Sequence, residues 1–219
     1  MGDMDISNIA DILQRSSQLF YDNGCPIQFV MATAERIPKE FIADIDTDRL
    51  EATWGVFGPS DVTIFFGDLQ GLGKGGMATL PQEGDMNRPV VYIDNTWSNL
   101  FMSGLTMESS MTHELGHWLG LHHTFDNDCY PGDYVIDTPP AHSDPRLTQQ
   151  SYLWINVFDI NIGYNTPNTC GFANDQIDNI MDYTYVKTKF TPGQVYRMMI
   201  FAFNKLVGRM PQYENGIIV

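Results

Sequence analysis

The spacing of hydrophobic positions changes period several times along the chain, and each change marks an element. In "DISNIADILQRSSQLFYDNG", Ile6, Ile9, Ile12 and Leu13 recur at helical intervals, and Asn23-Gly24 supplies a helix stop. "PIQFVMA" and "DVTIFFG" read as strands, the second largely buried. After the turn "GLGKGG", "MATLP" predicts a short strand and "PVVYIDN" a further one. In "TMESSMTHELGHWLG", Met107, Met111, Leu115, Trp118 and Leu119 return to helical spacing, with Ser109 or Ser110 as a candidate cap. Residues 121–190 lose periodicity and are rich in Asp, Asn, Pro, Gly and Tyr, which predicts an irregular lobe. Order returns in "FTPGQVYRMMIFAFNKLVG", where Thr191 can cap, Pro192 stands where a first-turn proline is tolerated, and an amphipathic helix follows. The pattern predicts an α+β fold in a single domain. A helix-and-sheet N-terminal lobe (about 1–120) precedes a loop-rich C-terminal lobe (about 121–219) closed by a helix. A cleft between the lobes would lie beside the central helix.

Composition narrows the partners. At 219 residues and 43% hydrophobic, the chain can bury a core and is too apolar for disorder. Twelve basic against 27 acidic residues give a formal charge of −15. That disfavours nucleic acid and anionic membrane surfaces, which require a basic face, and suits divalent cations. No apolar run approaches the roughly 20 residues that span a bilayer, so membrane insertion is not expected. The opening "MGDMDISNIA" shows neither a basic n-region nor an apolar h-region. No N-x-S/T sequon occurs, so N-glycosylation is not expected. Three cysteines, Cys25, Cys129 and Cys170, allow at most one internal disulfide, and the sequence leaves all three pairs open.

The chemistry concentrates in "HELGHWLGLHHTF", residues 113–125, which hold four of the five histidines. Residues four apart share a helix face, so His113 and His117 can address one cation. Glu114, rotated by roughly 100°, falls beside that cation, placed to act on a water. Gly120 can adopt a left-handed conformation and turn the chain back, returning His123 as a third ligand. His122 is the rival, one position short of the H-E-x-x-H-x-x-G-x-x-H spacing. A chance match to that spacing anywhere in the chain is on the order of 10⁻⁵. Three neutral imidazoles with one open position make the arrangement that catalytic zinc uses.

These residues resemble the signature of the metzincin zinc endopeptidases. In that clan a tight methionine turn lies beneath the zinc, and "NIMDYT" at 179–184 places Met181 there. "HELGHWLGLHHTF", "GDYVIDTP", "NIMDYT" and "FTPGQVYRM" resemble, in order, the pappalysin-type metzincins. The resemblance runs over most of the chain from about Ile6 and is densest from 113 to 198. It implies a metzincin-like fold, with a mixed twisted sheet and two long helices in the first lobe and the methionine turn and C-terminal helix in the second. It implies zinc-dependent hydrolysis of protein or peptide substrates, with Glu114 as general base and acid on a zinc-activated water. Tyr183 would stabilise the oxyanion or approach the zinc, and the strand around "GMATLP" would offer its edge to an extended substrate. The resemblance pairs Cys129 with Cys170 and leaves Cys25 a buried free thiol. It implies calcium near "GDYVIDTP", with Asp133 and Thr138 as ligands and Asp126, Asp128 and Asp137 close in sequence. It also implies a secreted protein, any signal and prosegment lying outside this chain. Oligomeric state is not read from the sequence.

The chain also departs from the family pattern. Relatives carry a further cysteine pair that is missing here, and the segment after Tyr183 is about two residues short. Where some relatives place an aspartate that selects Arg or Lys, this chain has Tyr185, Val186, Lys187 and Lys189. Tyr185 and Val186 are candidate substrate-binding residues, and the nearby lysines favour an apolar or acidic preference over a basic one. Tyr152, Trp154, Phe158 and Tyr164 are candidates for lining the pocket, with core packing expected for at least two of them. Two other readings compete. One is a catalytically dead binding module, against which the presence of Glu114 stands. The other is a zinc hydrolase acting on another bond, which only the family likeness disfavours.

Overall fold

The computed structural model describes residues 4–36, 62–67, 69, 75–80, 90–95, 107–142, 168–183, 187–206, 213–214 and 217–218. Helix α1 spans Ile6–Asp22, and the Asp5 carboxylate accepts the Ser7 N–H at its start (3.4 Å). It ends as the Asn23-Gly24 pair predicts. Gly24 takes φ +78°, its N–H donates to Tyr21 O, and the Cys25 N–H donates to Phe20 O, both at 2.9 Å. This closure satisfies carbonyls that the last helical turn leaves bare.

Strand β1 (Thr63–Gly67) runs parallel to β3 (Val90–Asp94), and β2 (Gly76–Ala78) pairs antiparallel with β3. Among the described residues the order β1-β3-β2 makes the sheet mixed and places β2 at an edge. The central strand is buried along its whole length, which is why "VVYID" is an unbroken run rather than an alternation. "PIQFVMA" joins no ladder: the backbone of Phe29 is occupied instead by the Ser17 hydroxyl, which accepts its N–H (3.2 Å) and faces its carbonyl (3.4 Å). The strand expected there is a loop strapped to α1.

Helix α2 (Met107–Trp118) is already helical at Ser109 and Ser110, so neither caps it. Eight consecutive residues, Met111–Trp118, are buried, because α1 packs on one side of the helix and β2 and β3 on another. The Ser16 hydroxyl donates to Glu108 O (3.1 Å) across the α1–α2 seam. Helix α3 spans Pro192–Leu206, and a two-stranded ribbon, β4 (Tyr213–Glu214) with β5 (Ile217–Ile218), follows it. The start of α3 is a capping box: Thr191 Oγ1 accepts the Gln194 N–H (3.1 Å), and Gln194 Oε1 accepts the Thr191 N–H (2.9 Å).

Aromatic rings join these elements in one core. Phe20 stacks on Phe190 (5.4 Å), Phe29 meets Trp118 edge-on (5.9 Å), and Trp118 meets Phe201 of α3 (6.1 Å). Cys25 is buried and unpaired in the same core, as expected. Between α2 and α3, the described residues 121–142 and 168–183 form turns and bends with one isolated bridge, Asn179 to Lys189. A disulfide from Cys129 to Cys170 spans 41 residues of this region, the pairing implied by the family likeness.

Candidate active site

Helix α2 and its termination build the site. Gly120 takes φ +90°, its N–H donates to His117 O (2.8 Å), and the Leu121 N–H donates to Gly116 O (3.0 Å). This is the same closure that ends α1, and here it reverses the chain so that His123 faces the helix. Arg197 of α3 donates from Nε to Gly120 O (2.6 Å) and holds the turn.

The result is a cluster of three imidazoles. His117 Nε2 lies 3.2 Å from His113 Nε2 and 3.0 Å from His123 Nε2. A tetrahedral zinc with bonds of 2.0–2.1 Å needs ligand atoms about 3.3 Å apart, so these spacings fit the ion. The rear nitrogens fix the tautomers. His113 Nδ1 faces Ile180 O (2.6 Å), His117 Nδ1 faces Leu121 O (2.8 Å), and His123 Nδ1 faces Asp126 Oδ1 (3.2 Å). Each of those acceptors requires an N–H, so three Nε2 lone pairs converge on one point, which is unfavourable without a cation. Burial, then Lys187 and the other two histidines, hold His113 well below its usual value. Burial and His123 push His117 down to about 3, so both rings are neutral and able to ligate at pH 7. His122 points elsewhere, 3.6 Å from Asp126 and with its ring 5.4 Å from that of Tyr134.

Sequence reasoning had considered Asp126 only for calcium, and here it takes a different position. Its Oδ2 accepts the His123 N–H (2.9 Å) while Oδ1 meets the ring. Burial works against this carboxylate, yet hydrogen bonds from His122 and His123 outweigh it and hold the group well below the usual carboxylate range. The available signal was the spacing of three from His123, enough for one loop turn to bring the two together.

Met181 is fully buried, with its Sδ against Gly116 of α2. Its N–H donates to Asn179 Oδ1 (2.8 Å), and its carbonyl accepts the Thr124 N–H (3.2 Å), tying the turn to the His123 loop. A Cβ on Gly116 would stand 2.7 Å from Met181 Sδ, so the helix admits the methionine only because residue 116 is glycine. Asn179 exchanges amide hydrogen bonds with Gln194 (2.9 and 3.2 Å), so the α3 capping box also anchors the methionine turn.

Glu114 is buried beside the histidines under β2, where a Cβ on Gly76 would stand 2.5 Å from Glu114 Oε1. Tyr183 is half exposed, its ring 4.6 Å from that of His123 and 6.0 Å from that of His113. Burial, Glu114 and Asp126 raise its pKa, so its hydroxyl stays protonated as a donor. Lys187 Nζ lies 3.5 Å from His113 Nδ1, and burial pushes its ammonium down to about 8 against the pull of Glu114 and Asp182.

Asp133 and Thr138 are both buried, and Asp133 Oδ2 has no hydrogen-bond partner among the described residues. Burial raises the Asp133 carboxyl to about 7, despite the Val135 N–H and the Thr138 hydroxyl. Asp137 is engaged at the start of α3, accepting the Thr191 hydroxyl (2.8 Å) and the Gly193 N–H (2.9 Å). Tyr185 and Val186 lie outside the described residues, as do Tyr152, Trp154, Phe158 and Tyr164.

Residues 52–202 match the peptidase M43 family, described as pregnancy-associated plasma protein-A. An extracellular metalloprotease of Sordaria macrospora is 35% identical over 117 residues, 51% of this chain and 35% of that protein. Extracellular metalloprotease 1 of Coccidioides posadasii is 40% identical over 91 residues, 40% of this chain and 28% of that protein. The matched segment thus spans about a third of these relatives' length. Two structures of mirolysin, one of them the mature Tannerella forsythia protein in complex with a cleaved peptide, superpose with TM-scores of 0.57. At 21% and 20% identity, over 90% of this chain and 83% of theirs, they show a shared metzincin fold. With the family match covering α2, the methionine turn and most of α3, this chain belongs to the M43 peptidase family, the pappalysin group of metzincins.

Proposed function

We propose that this chain is a secreted, zinc-dependent endopeptidase. The observation that carries the reading is the convergence of three Nε2 lone pairs whose Nδ1–H groups are all turned to acceptors behind them. His113, His117 and His123 would hold the zinc, which when bound polarises a carbonyl and lowers the pKa of water towards neutrality. Glu114, buried beside the histidines, takes a proton from the attacking water and returns it to the leaving amine. Tyr183 donates its hydroxyl to the oxygen on which negative charge develops. The edge strand β2 offers backbone groups to a substrate in extended conformation. Relatives named extracellular metalloproteases and the Cys129–Cys170 disulfide support an oxidising, extracellular setting.

Asp133 and Thr138 extend the proposal to calcium, for which a buried carboxylate oxygen lacking a hydrogen-bond partner among the described residues is a suitable ligand. Calcium takes six to eight oxygens, so backbone carbonyls of the same loop would complete the shell.

The test of the peptidase reading is casein or quenched-peptide cleavage by wild type and Glu114→Ala, with bound metal measured in both. The expected result is about one zinc in each, cleavage by wild type alone, and its loss with a chelator. Zinc in both proteins with cleavage by neither would favour a binding module.

A further inference from the structure

Three rings, one of them that of His123, close on one another at the histidine cluster. Phe125 lies on His123 with centroids 4.8 Å apart and an interplanar angle of 7°. Tyr183 meets the His123 ring edge-on at 4.6 Å and the Phe125 ring at 4.9 Å, tilted by 59°. Stacked and tilted pairs at such distances are the arrangements that ring quadrupoles favour. His123 does not depend on Phe125 for its place, because Asp126 accepts both its N–H and its ring Nδ1–H. Tyr183 has no such anchor. Among the described residues no hydrogen bond reaches its hydroxyl, and the residue is half exposed. The His113 ring at 6.0 Å and Lys187 Nζ at 5.7 Å from its centroid are more distant, so His123 and Phe125 hold it.

The backbone explains why these rings meet. Between His123 and Phe125, Thr124 donates its N–H to Met181 O (3.2 Å) and its hydroxyl to Asp182 Oδ2 (2.9 Å). Thr124 and Asp182 are both buried, so water does not compete for these bonds. They fix residues 123–125 against residues 181–183 in one register, which sets Phe125 beside Tyr183. At the far end the Asp126 N–H donates to His123 O (3.1 Å), and the loop folds back with the Phe125 ring on His123.

We propose that Phe125 is a positioning residue that holds the Tyr183 side chain against His123, so that its hydroxyl is aimed before substrate arrives. This rests on the peptidase reading above, in which Tyr183 donates to the developing oxyanion. A donor aimed in advance costs no reorganisation when that charge develops. The flat ring is what matters, because an aliphatic side chain gives Tyr183 no plane to lean on and frees its rotamers. Phe125 does no chemistry itself, and its loss reaches kcat only through Tyr183.

The test is cleavage of a quenched peptide by wild type, Phe125→Leu, Phe125→Tyr, Tyr183→Phe and the Phe125→Leu, Tyr183→Phe double variant, with bound zinc measured in each. Phe125→Leu should lower kcat about 10- to 100-fold, approaching loss of the donor itself, with KM and zinc content as in wild type. Phe125→Tyr, which keeps the ring, should stay near the wild-type rate. In the Tyr183→Phe background, Phe125→Leu should cost less than about 2-fold, because the hydroxyl it aims is gone. Additive losses, a rise in KM with kcat unchanged, or loss of zinc would overturn the proposal. A second readout needs no turnover: fluorine NMR of protein grown with 3-fluorotyrosine, the Tyr183 resonance assigned by its disappearance in Tyr183→Phe. Ring currents from Phe125 and His123 should displace that resonance, and Phe125→Leu should return it towards the free amino-acid position. Where Phe125→Leu does not fold, Phe125→Met removes the ring in its place. An unmoved resonance overturns the proposal whatever the activity. If wild type cuts nothing yet the resonance moves, the peptidase reading fails and the placement of Tyr183 by Phe125 stands.

Discussion

Asp126 illustrates what a single carboxylate contributes beside a proposed metal centre. By accepting both the N–H and the ring Nδ1–H of His123, it fixes the proposed loop ligand, as the helix fixes His113 and His117. Asp126→Asn keeps the shape but weakens both bonds, and zinc affinity should fall roughly 10- to 100-fold in a competition titration against a chelator. Unchanged affinity would mean that the His123 loop needs no such support. Asp133 makes a separate prediction about pH. Its folded-state pKa of about 7 stands above the ordinary carboxyl value near 4. Between those values the folded protein holds a proton that the unfolded chain has lost. The contribution of this group is therefore fully present below about pH 4 and is lost as pH rises through 7, a decline on the order of 4 kcal/mol. In metal-free protein, urea unfolding at pH 5 and pH 7.5 should show this slope in wild type minus Asp133→Asn. Added calcium should cancel it if Asp133 is a ligand, and a difference that does not vary with pH would refute the buried-acid assignment.

Among the elements, α2 depends on two glycines that keep neighbours close. Gly76 of β2 lies against the Glu114 carboxylate, where a methyl group would meet Oε1 at 2.5 Å. Gly76→Ala should lower kcat/KM by about 100-fold through misplacement of Glu114 while zinc content stays at the wild-type level. Loss of the metal as well would show that the strand supports the whole site. Gly116→Ala strikes from the other side, at Met181 Sδ, and overpacking there should cost about 1–3 kcal/mol in denaturant unfolding. Helix α2 was legible in the sequence because its recurring apolar residues and the spacing of His113 and His117 follow from 3.6 residues per turn, and its stop from Gly120. "PIQFVMA" was misread because its apolar content fits a strand equally well, and only the placement of Ser17 on α1 shows what its backbone bonds to. The Thr191–Gln194 capping box was written in "TPGQ", but its link through Gln194 to the methionine turn was not.

For the molecule as a whole, the described turns and bends between α2 and α3 are held by the disulfide and by the polar bonds around Asn179 and Asp137. Closing 41 residues contributes about 4 kcal/mol in the chain-entropy model. Replacing Cys129 and Cys170 together by serine should lower unfolding free energy by that order, and a change under about 1 kcal/mol would mean that the bound loops suffice alone. The sequence by itself determined the helical register of His113, Glu114 and His117, the reversal at Gly120, and the return of His123. These lie within a few turns of one another, and local geometry places them before any distant part arrives. Tertiary structure decided what stands behind those histidines. Ile180 O, which orients His113, lies 67 positions away, and Lys187 lies 74 away. Contacts at such separations leave no period in the sequence, because they form only when the methionine turn is brought beneath α2 by α3 and the core.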